Sequence, residues 1–316
     1  MHIPVALQRC IDLLTPSIES AIAERGEALV VDATLGLGGH SRALLERFPQ
    51  LKIIGLDRDL SAIAIATENT KAFADRITII HTVYDKIADV VQSLGVKTVD
   101  GVLFDLGVSS MQLDQGERGF AYSQDAPLDM RMDQSQGKSA FDVLSTYDRN
   151  SLIRILRLYG EEKFAPRIAD NIIEARAAGR LSTTTQLADL VKESIPAPAR
   201  RTGGNPAKRT FQALRIEVNG ELEVLERAIP ASLQIIRPGG RVVSMAYQSL
   251  EDKIVKKEFT RLTQSTTPRG LPVELESDRP GYVLVFAGSE AASDTEIEEN
   301  PRAASMRLRA IERVVA

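Results

Sequence analysis

Asp32, Gly36, Gly38, Gly39 and His40 stand within nine residues of one another, directly after the apolar run at 29–31. A carboxylate at the end of a buried strand, followed by glycines that accept dihedrals a Cβ forbids, lets backbone come very close to a ligand. His40, Ser41, Arg42, Leu44 and Leu45 then begin a helical pattern, so free amides at the helix start face whatever sits on the turn. This is a cofactor cradle, and two cofactor classes use it. A dinucleotide fold takes G-x-G-x-x-G, but counting from Gly36 the sixth position is Ser41, so that fingerprint is incomplete. An acid at the strand end followed by glycines is the pattern of S-adenosylmethionine (SAM) enzymes. Asp57 ends the next apolar run, KIIGLD, about 20 residues past the turn, where a carboxylate accepts the ribose hydroxyls of either cofactor. It points to a nucleoside and leaves the choice between the two open.

These residues need a sheet to hold them. ITIIH (77–81) reads as a third strand and VDGVLFDLG (99–107) as a fourth, ending in Asp105. Helical patterns between the strands predict a right-handed, doubly wound parallel α/β sheet, Rossmann-like in its winding. About a hundred residues then pass before Pro238, Gly239 and Gly240 turn into a fifth strand at 241–246. That gap predicts an inserted, mostly helical domain. Within it, residues 152–179 have helical apolar spacing, 182–185 resembles a helix start before 186–193, 195–209 reads as a loop, and 211–228 returns to helix. LPVELE (271–276) and YVLVFAG (282–288), joined by SDRPG, predict a C-terminal antiparallel hairpin at the sheet edge, which favours a methyltransferase sheet over a dinucleotide domain. Residues 289–300, SEAASDTEIEEN, read as a mobile linker. The expected division is 1–113 with 216–316 for the sheet domain and 114–215 for the insert.

Composition narrows the function. The net charge of −4 is uneven: residues 150–215 hold twelve Lys or Arg against six Asp or Glu, a basic segment inside an acidic chain that suggests a local polyanion contact. The single cysteine, Cys10, excludes an internal disulfide and fits a reducing cytoplasm. No apolar run approaches the roughly 20 residues that span a bilayer, and MHIPVALQRC lacks a secretory pattern, so a soluble cytoplasmic protein is expected. His2, His40 and His81 are isolated, and no spacing matches a zinc site, so no metal is expected. Cys10 lies in an N-terminal amphipathic stretch away from the cofactor motifs and reads as a core residue.

Eight segments together are similar to the RsmH (MraW) family: HIPV at 2–5, DATLGLGGHS at 32–41, DLGVSS at 105–110, ERGFAYSQDAPLDMRMD at 117–133, YGEEKFAPRIA at 159–169, KRTFQALRIEVNGEL at 208–222, SLEDKIVK at 249–256 and NPRAASMRLRA at 300–310. The resemblance implies a SAM-dependent methyltransferase acting on N4 of a cytosine in the decoding region (P site) of 16S rRNA in the small ribosomal subunit. It also implies a cofactor site. Gly38, Gly39 and His40 line the methionine end, Asp57 holds the ribose, Tyr84 forms a flat wall against adenine, and Asp105 and Gln112 complete the set.

Asp105 is the expected catalytic residue, a carboxylate that accepts the amino hydrogens of the base. Related amino-methylating enzymes carry an acid or amide followed by Pro-Pro and an aromatic there, whereas this chain reads Asp105-Leu106-Gly107-Val108, leaving Asp105 between substrate and cofactor roles. Arg118, Phe120 and Arg131, near Asp129, are expected to pair with phosphate or stack on a base, and Lys208, Arg209 and Arg215 to contact phosphate. The tail arginines 302, 307 and 309 add contacts or lie on a solvated helix. The chain departs from the family at Tyr247-Gln248, where Phe-His is common, at Lys253 for arginine, and at Met111 for proline. An NAD-dependent oxidoreductase, a non-catalytic ribosome-assembly factor, and a methyltransferase for DNA or protein are the rival readings.

Overall fold

In the computed structural model, residues 4–200, 204–265, 267 and 278–314 are described. The chain divides into two compact units, Met1–Gly107 with Leu222–Ala316, and Val108–Glu221.

The first unit is built on seven strands: β1 (Ala28–Asp32), β2 (Leu51–Asp57), β3 (Ile77–His81), β4 (Val99–Asp105), β5 (Ile236–Ala246), β6 (Tyr282–Leu284) and β7 (Arg307–Arg313). Their order is β3-β2-β1-β4-β5-β7-β6. The first five are parallel, while β7 runs antiparallel to both β5 and β6. Central strands read as apolar runs because both faces are covered. Val30, Leu103 and Val243 pack with Leu14 and Ile18 of helix α1 (Leu7–Arg25) and Leu44 and Leu45 of α2 (Gly39–Arg47). Val31, Val102, Phe104 and Val242 face the opposite core with Ile87, Leu225, Ile229, Val255 and Phe259. At the amino ends of the strands, buried Asp100 accepts from Arg25, Arg237 and the Leu29 amide. Gly239, at φ +76°, lets the Arg237-to-Gly240 segment bulge, and pairing with β4 shifts from Ile236 to Arg241 there.

Two sequence expectations change, and a third is met in part. Arg307 and Arg309 do not lie on a solvated helix: residues 307–313 are β7, and Arg309, 9% exposed, pairs with Asp252, while Arg302 is exposed on the short 3-10 helix Pro301–Ser305. Residues 289–300 do not read as a linker, since Asp294–Glu299 is helical and Glu290 binds Arg9. β6 does run antiparallel at the sheet edge, but its observed partner is β7; the expected strand at 271–276 lies outside the described residues.

In the second unit, the helices Ala140–Thr146, Arg149–Leu158, Ala165–Ala177, Thr184–Ser194 and Lys208–Asn219 enclose a core that includes Leu144, Ile155, Ile172, Leu187 and Leu214. The apolar pattern at 152–179 is two helices: the first ends at Leu158, Glu161 takes a left-handed φ of +49°, and the second begins at Ala165. Thr183 and Gln186 cap the helix Thr184–Ser194 reciprocally, as the 182–185 signal predicts. The pattern at 211–228 breaks at Gly220, φ +59°. Among the described residues no helix is long and apolar enough to cross a membrane.

Candidate active site

The loop leaving β1 is stitched to the ends of both neighbouring strands. Ala33 N–H donates to the Leu103 carbonyl of β4, and Leu35 N–H donates to Leu56 of β2. Asp32 is 1% exposed and accepts from Ser41 Oγ at 2.6 Å and the Thr34 amide, so it builds the turn from inside. Thr34 Oγ1 in turn accepts the Asp105 amide at 2.6 Å. Gly36 and Gly38 have φ of +52° and +77°, and a Cβ at Gly36 would meet only open space and the Thr34 carbonyl at 3.8 Å. β1 and β4 flank the point where strand order reverses, and ligands of open sheets bind outside the carboxyl ends there.

Asp57 ends β2 beside this turn. Its Oδ2 accepts the Gly36 amide at 2.7 Å and its Oδ1 accepts the Asp59 amide at 2.8 Å. Burial nevertheless pushes its carboxyl up to about 6, against the lowering effect of those bonds. A buried carboxylate oriented by two backbone donors, beside an open glycine turn, fits a ribose diol. Tyr84 packs edge-on against Phe104, centroids 5.8 Å apart, and remains partly exposed, as an adenine wall requires.

His40 is buried, not solvated. Its Nε2 lies 3.2 Å from the Val5 carbonyl, and a carbonyl only accepts, so Nε2 carries the proton and Nδ1 presents a lone pair. Burial lowers the imidazole pKa, with Asp32 opposing, and keeps the ring neutral near pH 7. Nδ1 stands 3.9 Å from Asp105 Oδ2. Gly39 serves packing as well: a Cβ there would meet Pro4 Cγ at 2.4 Å. The Tyr247 hydroxyl donates to Asp105 Oδ1 at 2.8 Å. Sequence reading noted Tyr247 only as a departure from a family pattern and passed over Thr34; a hydroxyl two residues past a strand-end acid was the available signal for the latter.

Gly38, Gly39, His40, Asp57, Tyr84 and Asp105 all belong to the first unit; Gln112 belongs to the second, where it caps the helix Ser110–Asp114 reciprocally with Ser109. The expected RNA residues fall into two groups. Arg118 is 3% exposed and donates to the Arg131 and Met132 carbonyls, lying over the buried Phe120 ring. Arg131 pairs with Asp129, and Arg215 with Glu221, both at 2.8 Å. Arg118 and Phe120 are thus buried, while Arg131 and Arg215 are partly buried in their ion pairs. Lys208 and Arg209 are exposed at the start of their helix. Asn219, unmarked in sequence, clamps the same loop by accepting Met132 N–H and donating to the Met130 carbonyl. Among the described residues no cluster of His, Cys, Asp and Glu could hold a metal.

A parallel sheet reversed at its edge by β7, with a glycine turn and two strand-end carboxylates at the switch point, defines a SAM-dependent methyltransferase. The chain belongs to the MraW methylase family, whose model matches residues 1–314. It is similar to proteins named ribosomal RNA small subunit methyltransferase H. The one from Mycolicibacterium smegmatis is 58% identical, over 99% of this chain and 84% of its own length. Those from Renibacterium salmoninarum and Pseudarthrobacter chlorophenolicus are 55% and 53% identical, over 99% and 100% of this chain and 95% and 96% of theirs.

Proposed function

We propose that this methyltransferase modifies N4 of a cytosine in the decoding region of 16S rRNA, on the small ribosomal subunit and in the cytoplasm. The observation that carries the substrate class is the near end-to-end similarity, at 53–58% identity, to enzymes named for small-subunit ribosomal RNA. The choice of an exocyclic amine rests on the resemblance and on the chemistry of the groups present.

Methylation at a pyrimidine ring carbon takes a thiolate that adds to the ring. The single cysteine, Cys10, is 1% exposed, and burial holds its thiol well above the ordinary range. The Asp105 and Asp32 charges push it further the same way, so Cys10 lies nearer the acids than the sequence suggests. It is a poor nucleophile. A carboxylate suits an amine instead, because the cytosine N4 lone pair conjugates with the ring and an acceptor for the amino hydrogens turns it outward. Asp105 supplies that acceptor. SAM, when bound, supplies an electrophilic methyl carbon on a sulfonium; the chain contributes position and electrostatics. Neutral His40, proton on Nε2, acts as an acceptor and holds no proton to give at Nδ1. Lys208 and Arg209 contact phosphate, and the target base must leave its stack to react.

The test is labelled methyl transfer from SAM to small subunits lacking the modification, followed by mapping of the product nucleotide. One N4-methylated cytosine in the decoding region is expected; a ring-carbon methyl or no transfer overturns the reading.

A further inference from the structure

The reaction as proposed gives no task to Tyr247, yet its hydroxyl donates directly to the acid that would meet the substrate. We infer that Tyr247 is a positioning residue for methyl transfer: from the end of β5 it holds one oxygen of the Asp105 carboxylate, fixing the plane in which the other meets the target amine.

The geometry is over-determined at both ends. Asp105 and Met245 are register partners at the ends of β4 and β5, and Leu106 N–H donates to the Met245 carbonyl at 3.0 Å. The Tyr247 amide donates to Glu251 Oε2 at 3.0 Å, and Glu251 is 3% exposed, so the tyrosine backbone is pinned to the helix Ser249–Leu262. Gly107, at φ +94°, keeps the strand exit open beside the ring; a Cβ there would lie 3.8 Å from Tyr247 Cδ2. Thr34 grips the Asp105 backbone, and the tyrosine hydroxyl restrains rotation of the carboxylate.

Tyr247 supplies to Asp105 the donor that His40 does not. With Nε2 committed to the Val5 carbonyl, Nδ1 faces Asp105 Oδ2 as a second acceptor at 3.9 Å, and two acceptors repel. Burial first, and then the Asp105 charge, raise the Tyr247 phenol far above its ordinary range, so it keeps its proton. The inference rests on the reading of Asp105 as acceptor for the target amine.

Tyr247→Phe removes a single oxygen. The expected result is an unchanged melting temperature, SAM affinity within about twofold of the parent, and kcat on unmodified small subunits lower by about tenfold, the size of one hydrogen bond to a charged group. In an Asp105→Asn background, single-turnover rates are expected to show no further loss on adding Tyr247→Phe. An unchanged kcat in Tyr247→Phe, an equal loss of SAM affinity, or losses that multiply in the double variant each overturn the positioning role. Full activity of Asp105→Asn alone overturns the acceptor reading itself, and so separates the two failures.

Discussion

Gly36 donates its amide to Asp57 Oδ2 at 2.7 Å, so the acid that ends β2 also closes the loop that leaves β1. The expected ribose-binding acid and the glycine turn are therefore one hydrogen-bonded construction. Its parts should fail together.

Asp57→Asn is expected to weaken SAM binding and to change its pH dependence. Ribose hydroxyls donate to the ionised carboxylate, so parent affinity should be flat above about pH 7 and fall as pH drops through about 6; calorimetry should find no such fall in the variant.

The same shift has a stability sign. A folded value of about 6 against the ordinary 3.8 of an aspartate means the native state binds more protons between those limits, so the contribution is present at low pH and lost as pH rises through 6. Without cofactor, the parent should lose stability as pH rises from about 4 through 6, and that slope should be absent in Asp57→Asn, by urea denaturation at a series of pH values.

Asp105→Asn keeps the shape of the side chain but replaces an acceptor oxygen with a donor. Methyl transfer to small subunits should fall by about a hundredfold or more, with the fold intact by circular dichroism. Activity equal to the parent would remove Asp105 from the chemistry.

Among the basic residues, exposure should separate binding from folding. Reversing Lys208 and Arg209 to Glu should leave the melting temperature unchanged, weaken subunit binding, and lower the slope of log affinity against log salt by about two. Arg118→Ala should instead destabilise by about 2–4 kcal/mol, because two buried carbonyls lose their donor.

Gly119→Ala tests the turn that carries Arg118. At φ +74°, with a Cβ placed 2.4 Å from the Pro127 carbonyl, the substitution should cost about 2 kcal/mol or more in urea denaturation.

How far the sequence discloses this molecule depends on the range over which each cause acts. The cradle is legible because strand, acid, glycines and helix start are neighbours in the chain, and because β1 and β4 are buried on both faces. The Asp105–Tyr247 bond spans 142 residues, and no local pattern carries it. The burial of Arg118 is equally hidden: an arginine reads as solvated until the carbonyls that receive it are in place. β7, RLRAIER, alternates charged and apolar residues over 307–310, the period of a half-buried strand, so a local signal is present; its pairing with β5 and the ion pair of Arg309 to Asp252 show which face each residue takes. Residues 289–300 read as a linker from their acidity, while Glu290 and Glu296 reach back to Arg9 and to the Ala6 amide. The division of the residues expected to meet RNA into buried and exposed arises in the same way, from tertiary partners.

β7 lies between β5 and β6, so the stretch at 307–313 must be delivered before two earlier strands can close. During synthesis a nascent chain would hold the flank of β5, with its unpaired amides and carbonyls, uncovered until residues 307–313 had been made. Closure of this sheet is therefore a step that waits on β7, whatever order the other strands follow.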